Sequence, residues 1–347
     1  MYPPLINILS YLDEHNIDYR LLSNDDFRKT NSKTLNKLLN FWDYFGYTIK
    51  CFFFLIRKPK NVLYFESVSA VPLAVYNRFF GLSKNNILVH YHEYFSVEDY
   101  KRQSFFERLG RKYELPLLKK ATWISHTNED RLNLFKEDFS VLDKSQLCIM
   151  PNYPSEKWLK VNRIETDASL DEIKEPIRLV HIGSLSFEAL FLNEVLDYFG
   201  NDDRFTLDFY SRTDNVNIID RINSYNNINF LGSIDYNNIT DLNGKYDIGL
   251  VLYKGNSLNF TFNAPNKIFE YLALNMDVWC SSKLLTANKH MIKDSFPKML
   301  MVDYENLNSF DITKAIERKG LFYKSSPYIC EVVYNKLLVE INNSLKV

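Results

Sequence analysis

Two segments of the chain place charged side chains at spacings that suit ligand chemistry, and the first is "NAPNKIFEYLALNMDVWCSS" at 263–282. Within it Lys267 and Glu270 stand three positions apart among apolar and aromatic residues. On a helix such side chains lie within one turn of each other, and a carboxylate in apolar surroundings needs a partner. The residues alone favour an ordinary surface ion pair, and a bound ligand is the alternative.

The second segment is "VHYHEYFS" at 89–96, which contains His90, His92 and Glu93. On a strand His90 and His92 would share a face, so the spacing allows a two-histidine metal site, although no cysteine stands nearby. A hydrogen-bonded histidine at the end of a strand is the plainer interpretation of His92, and a functional histidine is the alternative.

Several familiar cofactor motifs are absent from the sequence. No G-x-G occurs among the ten glycines, which argues against a nicotinamide enzyme, and no G-x-x-x-x-G-K-[ST] occurs, which argues against a P-loop nucleotidase. No D-x-D is present, so the acidic pair that holds a divalent ion on a nucleotide diphosphate is missing. We therefore expect no metal and no cofactor.

The composition indicates a globular protein of two domains. The chain has 347 residues, of which 46% are hydrophobic, and its net charge is −1, which argues against a nucleic-acid-binding protein. The four cysteines are far apart and suit buried thiols in a reducing compartment. The N-terminus lacks the pattern of a signal peptide, so we expect a cytoplasmic protein.

Short β-branched runs alternate with longer amphipathic ones, which is typical of βαβ units on parallel sheets. We predict an N-terminal Rossmann-like domain at 1–155, a linker at 156–176, a C-terminal Rossmann-like domain at 177–327 and a final helix, 328–347, that packs back on the first domain. The predicted strands are 61–65, 87–91, 122–126 and 147–150 in the first domain, and 177–182, 205–210, 228–232, 246–253 and 277–281 in the second. Helices are predicted at 98–120 and 128–137, among others.

The start of the chain departs from this pattern. "PLINILSYLDEHN" has the character of the first helix of a Rossmann-like domain, yet only "MYPP" precedes it. The first strand that such a domain normally has is therefore missing, either because it was lost or because the start of the chain was assigned too late.

Around Glu270 the local pattern predicts a strand, then the loop "KGNSLNFTFNA", then a helix. Pro265 suits its first turn, Asn263 or Ala264 its cap, and Asn275 its left-handed end. Ile268, Leu272 and Ala273 would face the sheet. The loop would thus deliver a helix N-terminus to the carboxyl end of a parallel strand, where anions and other ligands bind.

The sequence here resembles the GT-B glycosyltransferases of the large retaining group 1 family. The resemblance rests on "YDIGLVLY" followed by "APNKIFEYLALNMDVWCSS", with "LVHIGSLS", "NINFLGSID", "VHYHEYFS" and "IMPNYP" in support, and it covers about 85–347. It implies an α/β fold of two doubly wound Rossmann-like domains that face a cleft. It also implies transfer of a sugar from a nucleotide-sugar donor to an acceptor hydroxyl, in the synthesis of bacterial surface polysaccharide or another glycan.

The resemblance further implies roles for particular residues. Glu270 would bind the donor ribose, and His92 and Glu93 would approach the reacting sugar from the first domain, which holds a glycan or lipid-linked acceptor. Other residues would lie near the diphosphate or the base of the donor: Gly183, Ser184, Arg212, Gly232, Ser233, Ile234, Lys254, Asn263, Pro265, Asn266 and Lys267.

The chain departs from the family pattern at two places. Phe262 stands where many relatives have a second glutamate, and "GSLSFEALFLNE" supplies neither the Arg nor the Lys that they tend to have there. Neutralisation of the diphosphate would then fall to Arg212, Lys254, Lys267 and helix dipoles. These departures leave two other interpretations open, a non-catalytic GT-B-like protein that binds a sugar or a partner and a nucleotide-sugar epimerase on a similar fold.

If the chain is a transferase, fixed N–H dipoles and cations would stabilise the leaving diphosphate without a metal, and domain closure would exclude water. Retention of configuration follows from the resemblance alone. The stretch "KCFFFLIRKPK" at 50–60 favours the end of a buried helix, with contact at the inner face of an anionic membrane as the alternative.

Overall fold

The computed structural model describes residues 3–23, 33–82, 86–160, 173 and 175–345. The chain divides into two compact units, of which unit 1 comprises 1–151 together with 332–347 and unit 2 comprises 152–331. Most of the predicted linker, 156–176, lies outside the described residues.

Unit 1 contains a sheet of four parallel strands in the order β1-β2-β3-β4, with helices between them. All four strands lie where the β-branched runs predict them. The elements are α1 Pro3–Glu14, α2 Lys33–Ile56, β1 Asn61–Phe65, α3 Ala70–Phe80, β2 Asn86–Tyr91, α4 Val97–Arg102, α5 Phe105–Leu118, β3 Trp123–His126, α6 Glu129–Asp138 and β4 Leu147–Ile149.

The predicted 98–120 range is helical but is divided into two helices, α4 and α5, by a break at 103–104. Each begins with a capping box: the Ser96 side chain accepts from the N–H of Asp99, and Ser104 accepts from that of Glu107. Each acid bonds back to the main-chain N–H of its serine. A serine with its own acidic partner three residues later starts a new helix more favourably than it continues one.

The first described element of the chain is α1, and the described residues before β1 contain no strand. At the other end of the chain, α14 (Cys330–Leu345) supplies unit 1 with its last helix, where the hydroxyl of Tyr334 contacts the Pro4 carbonyl at 3.4 Å. None of the described helices combines the length and the apolar character that a membrane span requires.

Unit 2 is built on six parallel strands in the order β11-β9-β8-β5-β6-β7. Short helices and loops connect them, and two further strands, β10 and β12, pair beside this sheet. The elements are α7 Lys157–Lys160, β5 Ile177–Ile182, α8 Leu192–Phe199, β6 Phe205–Tyr210, α9 Val216–Asn223, β7 Ile228–Phe230, β8 Ile248–Val251, α10 Leu258–Thr261, α11 Asn266–Ala273, β9 Asp277–Ser281, α12 Leu285–Asn288, β10 Ser295–Phe296, β11 Met299–Val302, α13 Ile312–Ile316 and β12 Phe322–Tyr323.

The strand order of unit 2 is that of a doubly wound sheet, because it starts in the middle with β5, runs outward through β6 and β7, and then returns to the other side with β8. Buried apolar residues cover both faces of the sheet. This arrangement explains why the central strands are almost continuously hydrophobic. The predicted strands 177–182, 205–210 and 277–281 are confirmed with the same bounds.

Candidate functional site

The point where the strand order of unit 2 reverses lies between β5 and β8, and such a point is where open parallel sheets bind ligands. β5 ends at Ile182, and Gly183 follows it with a φ of +152°. A side chain at that φ would be strained, so the turn depends on glycine. The N–H of Gly183 donates to the carbonyl of Tyr210, which holds the turn beside the end of β6.

Helix α11 is fixed to this edge of the sheet by Tyr271. Its hydroxyl accepts a hydrogen bond from the N–H of Ile182 at 2.9 Å, and its ring packs over Gly249 of β8, where an added Cβ would lie 2.2 Å from the ring. The predicted sheet-facing residues of the helix, Ile268, Leu272 and Ala273, are all buried. Asn275 has a φ of +57°, which confirms the predicted left-handed end.

Lys267 and Glu270 form an ion pair within the first turns of α11, with 2.5 Å between Nζ and Oε2. The pair is not an ordinary surface pair, because the Glu270 side chain is only 2% exposed while that of Lys267 is 21% exposed. A carboxylate taken so far out of water is costly unless its charge is compensated. The structure therefore holds a buried anion and a half-buried cation together at the N-terminal end of α11.

His181, in β5, is a further buried polar residue near this turn. Its Nδ1 is 3.1 Å from the Leu250 carbonyl, while its buried Nε2 has no hydrogen bond of normal geometry within the part of the chain that the structure describes. An added Cβ on Gly183 would lie 3.7 Å from this Nε2. Burial, with a smaller contribution from the charge of Lys267, lowers the pKa of His181 to about 4, and main-chain interactions with Leu250 and Ser184 oppose this lowering. His181, Gly183 and Lys267 therefore belong to one site.

The other predicted diphosphate cations are placed differently. Lys254 is turned toward the segment after β5: its Nζ is 3.3 Å from Glu194 and donates to the Phe187 carbonyl at 3.1 Å. Its main-chain N–H bonds to Ala189, so Lys254 ties the loop after β5 to the end of β8. Arg212 follows β6, is exposed, and makes no ion pair among the described residues. Lys254 is thus engaged within the protein, and Arg212 is accessible to a ligand.

The start of α11 differs from the prediction. The helix begins at Asn266 with Pro265 as its cap, and neither Asn263 nor Ala264 caps it with a side chain. The reason is that the predicted loop contains α10, and the N–H of Asn263 is used to bond Phe260 at the end of that short helix. Asn263, Pro265 and Asn266 still precede or open α11, next to Lys267.

The remaining predicted donor residues lie in two turns at the same edge of the sheet. Ser184 is exposed after Gly183. Gly232 follows β7 with a φ of +71°, and its carbonyl accepts from the N–H of Ser211, the residue after β6. Ser233 is exposed and Ile234 is half-buried beyond it. The carboxyl ends of β5, β6 and β7 are therefore linked by main-chain hydrogen bonds.

In unit 1, His92 and Glu93 directly follow β2 and are held by a residue that the sequence analysis did not select, Glu66. One carboxylate oxygen of Glu66 accepts from the main-chain N–H groups of both residues, at 2.6 Å and 3.1 Å. Arg131 of α6 donates to the His92 carbonyl at 2.8 Å. The 92–93 segment is therefore fixed by the carboxyl group of Glu66 on one side and the guanidinium of Arg131 on the other.

Glu66 has two unusual properties. It has a φ of +59°, in a region that non-glycine residues rarely adopt, and burial raises the pKa of its carboxyl to about 8 against the two N–H bonds, which lower it. Partial burial also raises the pKa of Glu93, and Arg131 opposes that rise. Strained backbone and shifted carboxyls cluster at functional sites. Glu66 stands immediately after β1, at the carboxyl edge of a parallel sheet, and this position is the signal by which the sequence could have identified it.

His90 and His92 do not lie together in β2, so the structure does not support the alternative of a two-histidine metal site. His90 is completely buried within β2, where its Nδ1 is 3.0 Å from the Ser125 hydroxyl, whereas His92 follows the end of the strand. Burial lowers the pKa of His90 to about 3. Among the described residues, no three His, Cys, Asp or Glu side chains are grouped so that they could hold a metal ion.

No protein-family model and no curated protein matches the chain. Solved structures do match. The S. aureus MnaA–UDP co-structure is 10% identical, with a TM-score of 0.56, and the match covers 100% of this chain and 95% of that one. UDP-N-acetylglucosamine 2-epimerase from Rickettsia bellii is 13% identical, with a TM-score of 0.54 and coverages of 99% and 94%. Sucrose-phosphate synthase from Thermosynechococcus elongatus is 14% identical, with a TM-score of 0.55 and coverages of 91% and 81%.

These similarities are too distant in sequence to show more than the fold. The matched proteins are nucleotide-sugar enzymes of the GT-B fold, and they include an epimerase as well as a synthase. Together with the two parallel sheets, the matches show that this chain has the α/β architecture of the GT-B fold.

Proposed function

We propose that unit 2 binds a nucleotide sugar and that the protein transfers its glycosyl group to an acceptor hydroxyl. The observation that carries this proposal is the buried Glu270 next to Lys267, at the opening of a helix that Tyr271 fixes to the reversal point of the sheet. The sequence resemblance supports the proposal, since it implies that Glu270 corresponds to the ribose-binding carboxylate of those glycosyltransferases.

Each part of the nucleotide sugar has a suitable group in this site. A carboxylate accepts hydrogen bonds from two neighbouring ribose hydroxyls, as Glu270 would. The diphosphate would take the first-turn N–H groups of α11, the ammonium of Lys267 and the accessible guanidinium of Arg212. Gly183 allows the main chain after β5 to approach the phosphates closely. The turn at Gly232, Ser233 and Ile234 would contact the base.

The proposed reaction breaks the bond between the anomeric carbon and the diphosphate oxygen and forms a bond from that carbon to the acceptor oxygen. The electron pair of the broken bond stays on the diphosphate, which Lys267, Arg212 and the helix dipole would stabilise. The acceptor hydroxyl loses its proton during the reaction, and the proton would pass to the imidazole of His92 or the carboxylate of Glu93 and from there to water. We propose that unit 1 binds the acceptor, with His92 and Glu93 as its reactive groups, and that the transfer needs no metal.

The test is calorimetric titration of UDP, GDP and ADP into the protein and into Glu270→Ala. We expect one nucleotide to bind at micromolar strength and Glu270→Ala to bind it about 10–100-fold more weakly. A loss of affinity of this size corresponds to the loss of one or two hydrogen bonds to a charged group. Asp197→Ala is the matched control, because this acid of unit 2 also pairs with a cation but is exposed on α8. A protein that binds none of the three nucleotides would contradict the proposal.

A second candidate function is epimerisation of the nucleotide sugar, which the similarity of fold to the Rickettsia bellii epimerase favours. The two functions differ in their need for an acceptor. An epimerase interconverts UDP-N-acetylglucosamine and its 2-epimer in the absence of any acceptor, and proton NMR of the mixture detects the new sugar. A transferase consumes the donor only with an acceptor or slowly with water. Binding without turnover in either assay would indicate a non-catalytic protein.

A further inference from the structure

An exposed row of large apolar side chains runs along α2 in unit 1. Its members recur every three or four residues, so they lie on one side of the helix. We call this row, together with two residues at the end of α3, the aromatic face. It consists of Leu38, Trp42, Phe45, Ile49, Phe53 and Ile56 of α2 with Phe79 and Phe80 of α3, and each of these side chains is at least 40% exposed.

The core of unit 1 does not require this row to be apolar. A different side of α2 packs inward through Tyr44, Cys51 and Leu55, all of which are buried. A surface helix normally has one apolar side and polar residues opposite. α2 has an apolar side for the core and a second apolar side exposed to solvent, so the second one needs its own explanation.

Ring contacts link members of the aromatic face to one another and to the aromatic side chains beside them. The Trp42 ring contacts the rings of Phe41 and Phe45 edge to face, with centroids 6.0 Å and 5.9 Å away. At the other end of the helix, the Phe80 ring packs against Phe52 at 5.4 Å. Single exposed apolar residues are common on proteins, whereas a connected set from two helices marks an interaction surface.

The charge around this face differs from that of the rest of the chain. Residues 33–85 contain eight lysines or arginines and only two acids, Asp43 and Glu66, while the whole chain has a net charge of −1. Lys50, Arg57 and Arg78 lie on or directly beside the two helices and are exposed. A partner that fits this face therefore has an anionic surface and an apolar interior beneath that surface.

We propose that the aromatic face docks on the surface of an anionic lipid bilayer. Helix α2 would lie in the plane of the interface, with its Trp and Phe side chains among the acyl chains and its cations among the lipid phosphates. A second copy of this chain fits less well, because a two-fold dimer formed through this face would place its cations against the same cations. This inference is independent of the proposed nucleotide-sugar site.

The experiment uses the full chain and phosphatidylcholine vesicles that contain either no phosphatidylglycerol or about 30% of it. Trp42 is a built-in probe: of the four tryptophans, Trp123, Trp158 and Trp279 are buried and Trp42 is 55% exposed. We expect the protein to sediment with the anionic vesicles and its tryptophan emission to shift to the blue. Lipids with brominated acyl chains should quench this emission, and Trp42→Phe should abolish the quenching.

Two sets of variants separate the apolar and the ionic parts of the contact. Two triple variants should each lower the vesicle partition coefficient about 100-fold. The first removes apolar side chains and combines Trp42→Ser, Phe53→Ser and Ile56→Ser. The second removes cations and combines Lys50→Gln, Arg57→Gln and Arg78→Gln. Val332→Ser with Val339→Ser is the control for the first set, because these residues are 63% and 52% exposed on α14. Lys245→Gln with Lys314→Gln and Lys319→Gln, all exposed in unit 2, is the control for the second.

Three results would overturn the inference. One is no binding to either kind of vesicle by a protein that sediments as a monomer. Another is equal binding to neutral and anionic vesicles, which would remove the role of the cations. The third is a dimer in analytical ultracentrifugation that the serine variants dissociate, because a second copy would then cover the face. The bromolipid experiment on the unmodified protein remains decisive if a triple variant fails to fold.

Discussion

The main-chain N–H of His92 donates a hydrogen bond of 2.6 Å to Oε1 of Glu66, and so the residue after β1 positions the residue after β2. The two strands are neighbours in a parallel sheet, with Phe65 paired to His90. Their carboxyl ends therefore meet, and an acid at one end can hold the chain at the other. The 92–93 segment, the predicted reactive part of unit 1, is thus ordered by a side chain 26 positions earlier.

Glu66 should give the protein a recognisable pH dependence of stability. Burial raises its pKa from 4.5 to about 8, so between these values the folded protein holds a proton that the unfolded chain has lost. Glu66 therefore contributes its full share of the unfolding free energy below pH 4.5, and the protein loses this contribution as the pH rises through 8. Glu66→Gln cannot titrate, so its stability relative to the unmodified protein should improve by roughly 2–4 kcal/mol from pH 5 to pH 8.5.

Urea unfolding at a series of pH values measures this difference. Glu114→Gln is the informative comparison, because burial raises the pKa of Glu114 to about 7 and its effect should level off at a lower pH. If the two stability curves of Glu66→Gln and the unmodified protein run parallel across this range, Glu66 is ionised in the folded protein and the expected shift is absent.

Arg131 should control the ionisation of Glu93. The guanidinium lies close enough to lower the carboxyl pKa, which partial burial otherwise raises. Arg131→Met keeps most of the apolar length but removes the charge, so we expect the Glu93 pKa to rise further above its ordinary value. Carbon-13 NMR titration of the carboxyl groups follows it directly. Lys136→Met on the same helix is the control, and an unchanged Glu93 pKa in Arg131→Met would show that the charge acts elsewhere.

The sequence predicted the strands of both sheets better than the site. Runs such as 177–182 and 205–210 are rich in β-branched or aromatic residues and are followed by glycine or serine, and their bounds agree with the structure. The strand Met299–Val302 was missed because "MLMV" is short and joins polar segments without a turn signal. Helix α2 was recognised only in its last turns, since residues on its exposed side are as apolar as those on its buried side.

The site depends on contacts between residues far apart in the chain, which periodicity cannot show. Glu270 and Lys267 are local, and their pairing was foreseen, but its burial was not. Lys254 was expected at the diphosphate and instead pairs with Glu194, because the loop after β5 folds back over the end of β8. The position of Glu66 after β1 is visible in the sequence, but its contact with the 92–93 segment depends on the pairing of β1 with β2. His181 stands two residues before Gly183, but only the structure shows that it is buried.

The Lys267–Glu270 pair should be costly to break on one side. Lys267→Met leaves the buried carboxylate without its cation, and we expect a loss of roughly 2–3 kcal/mol of unfolding free energy, less than for a fully enclosed pair because Lys267 is partly exposed. Adding Glu270→Gln should restore most of this loss, since the amide carries no charge. Urea unfolding of both single variants and the double variant measures the coupling, and additive losses would mean that the two side chains do not interact in solution.

The contact between Gly249 and Tyr271 should tolerate little added volume. A methyl group at position 249 would lie 2.2 Å from the Tyr271 ring, so Gly249→Ala must displace the tyrosine that bonds the end of β5. We expect a loss of about 1–3 kcal/mol and, in addition, weaker nucleotide binding, because α11 moves with Tyr271. Gly46→Ala is the control: position 46 lies within α2 with open space around it, and alanine there should stabilise by about 0.5–1 kcal/mol. If Gly249→Ala keeps its stability but binds the nucleotide more weakly, α11 shifts without loss of packing. If its nucleotide binding is unchanged, the position of α11 does not determine binding, and the prediction is wrong.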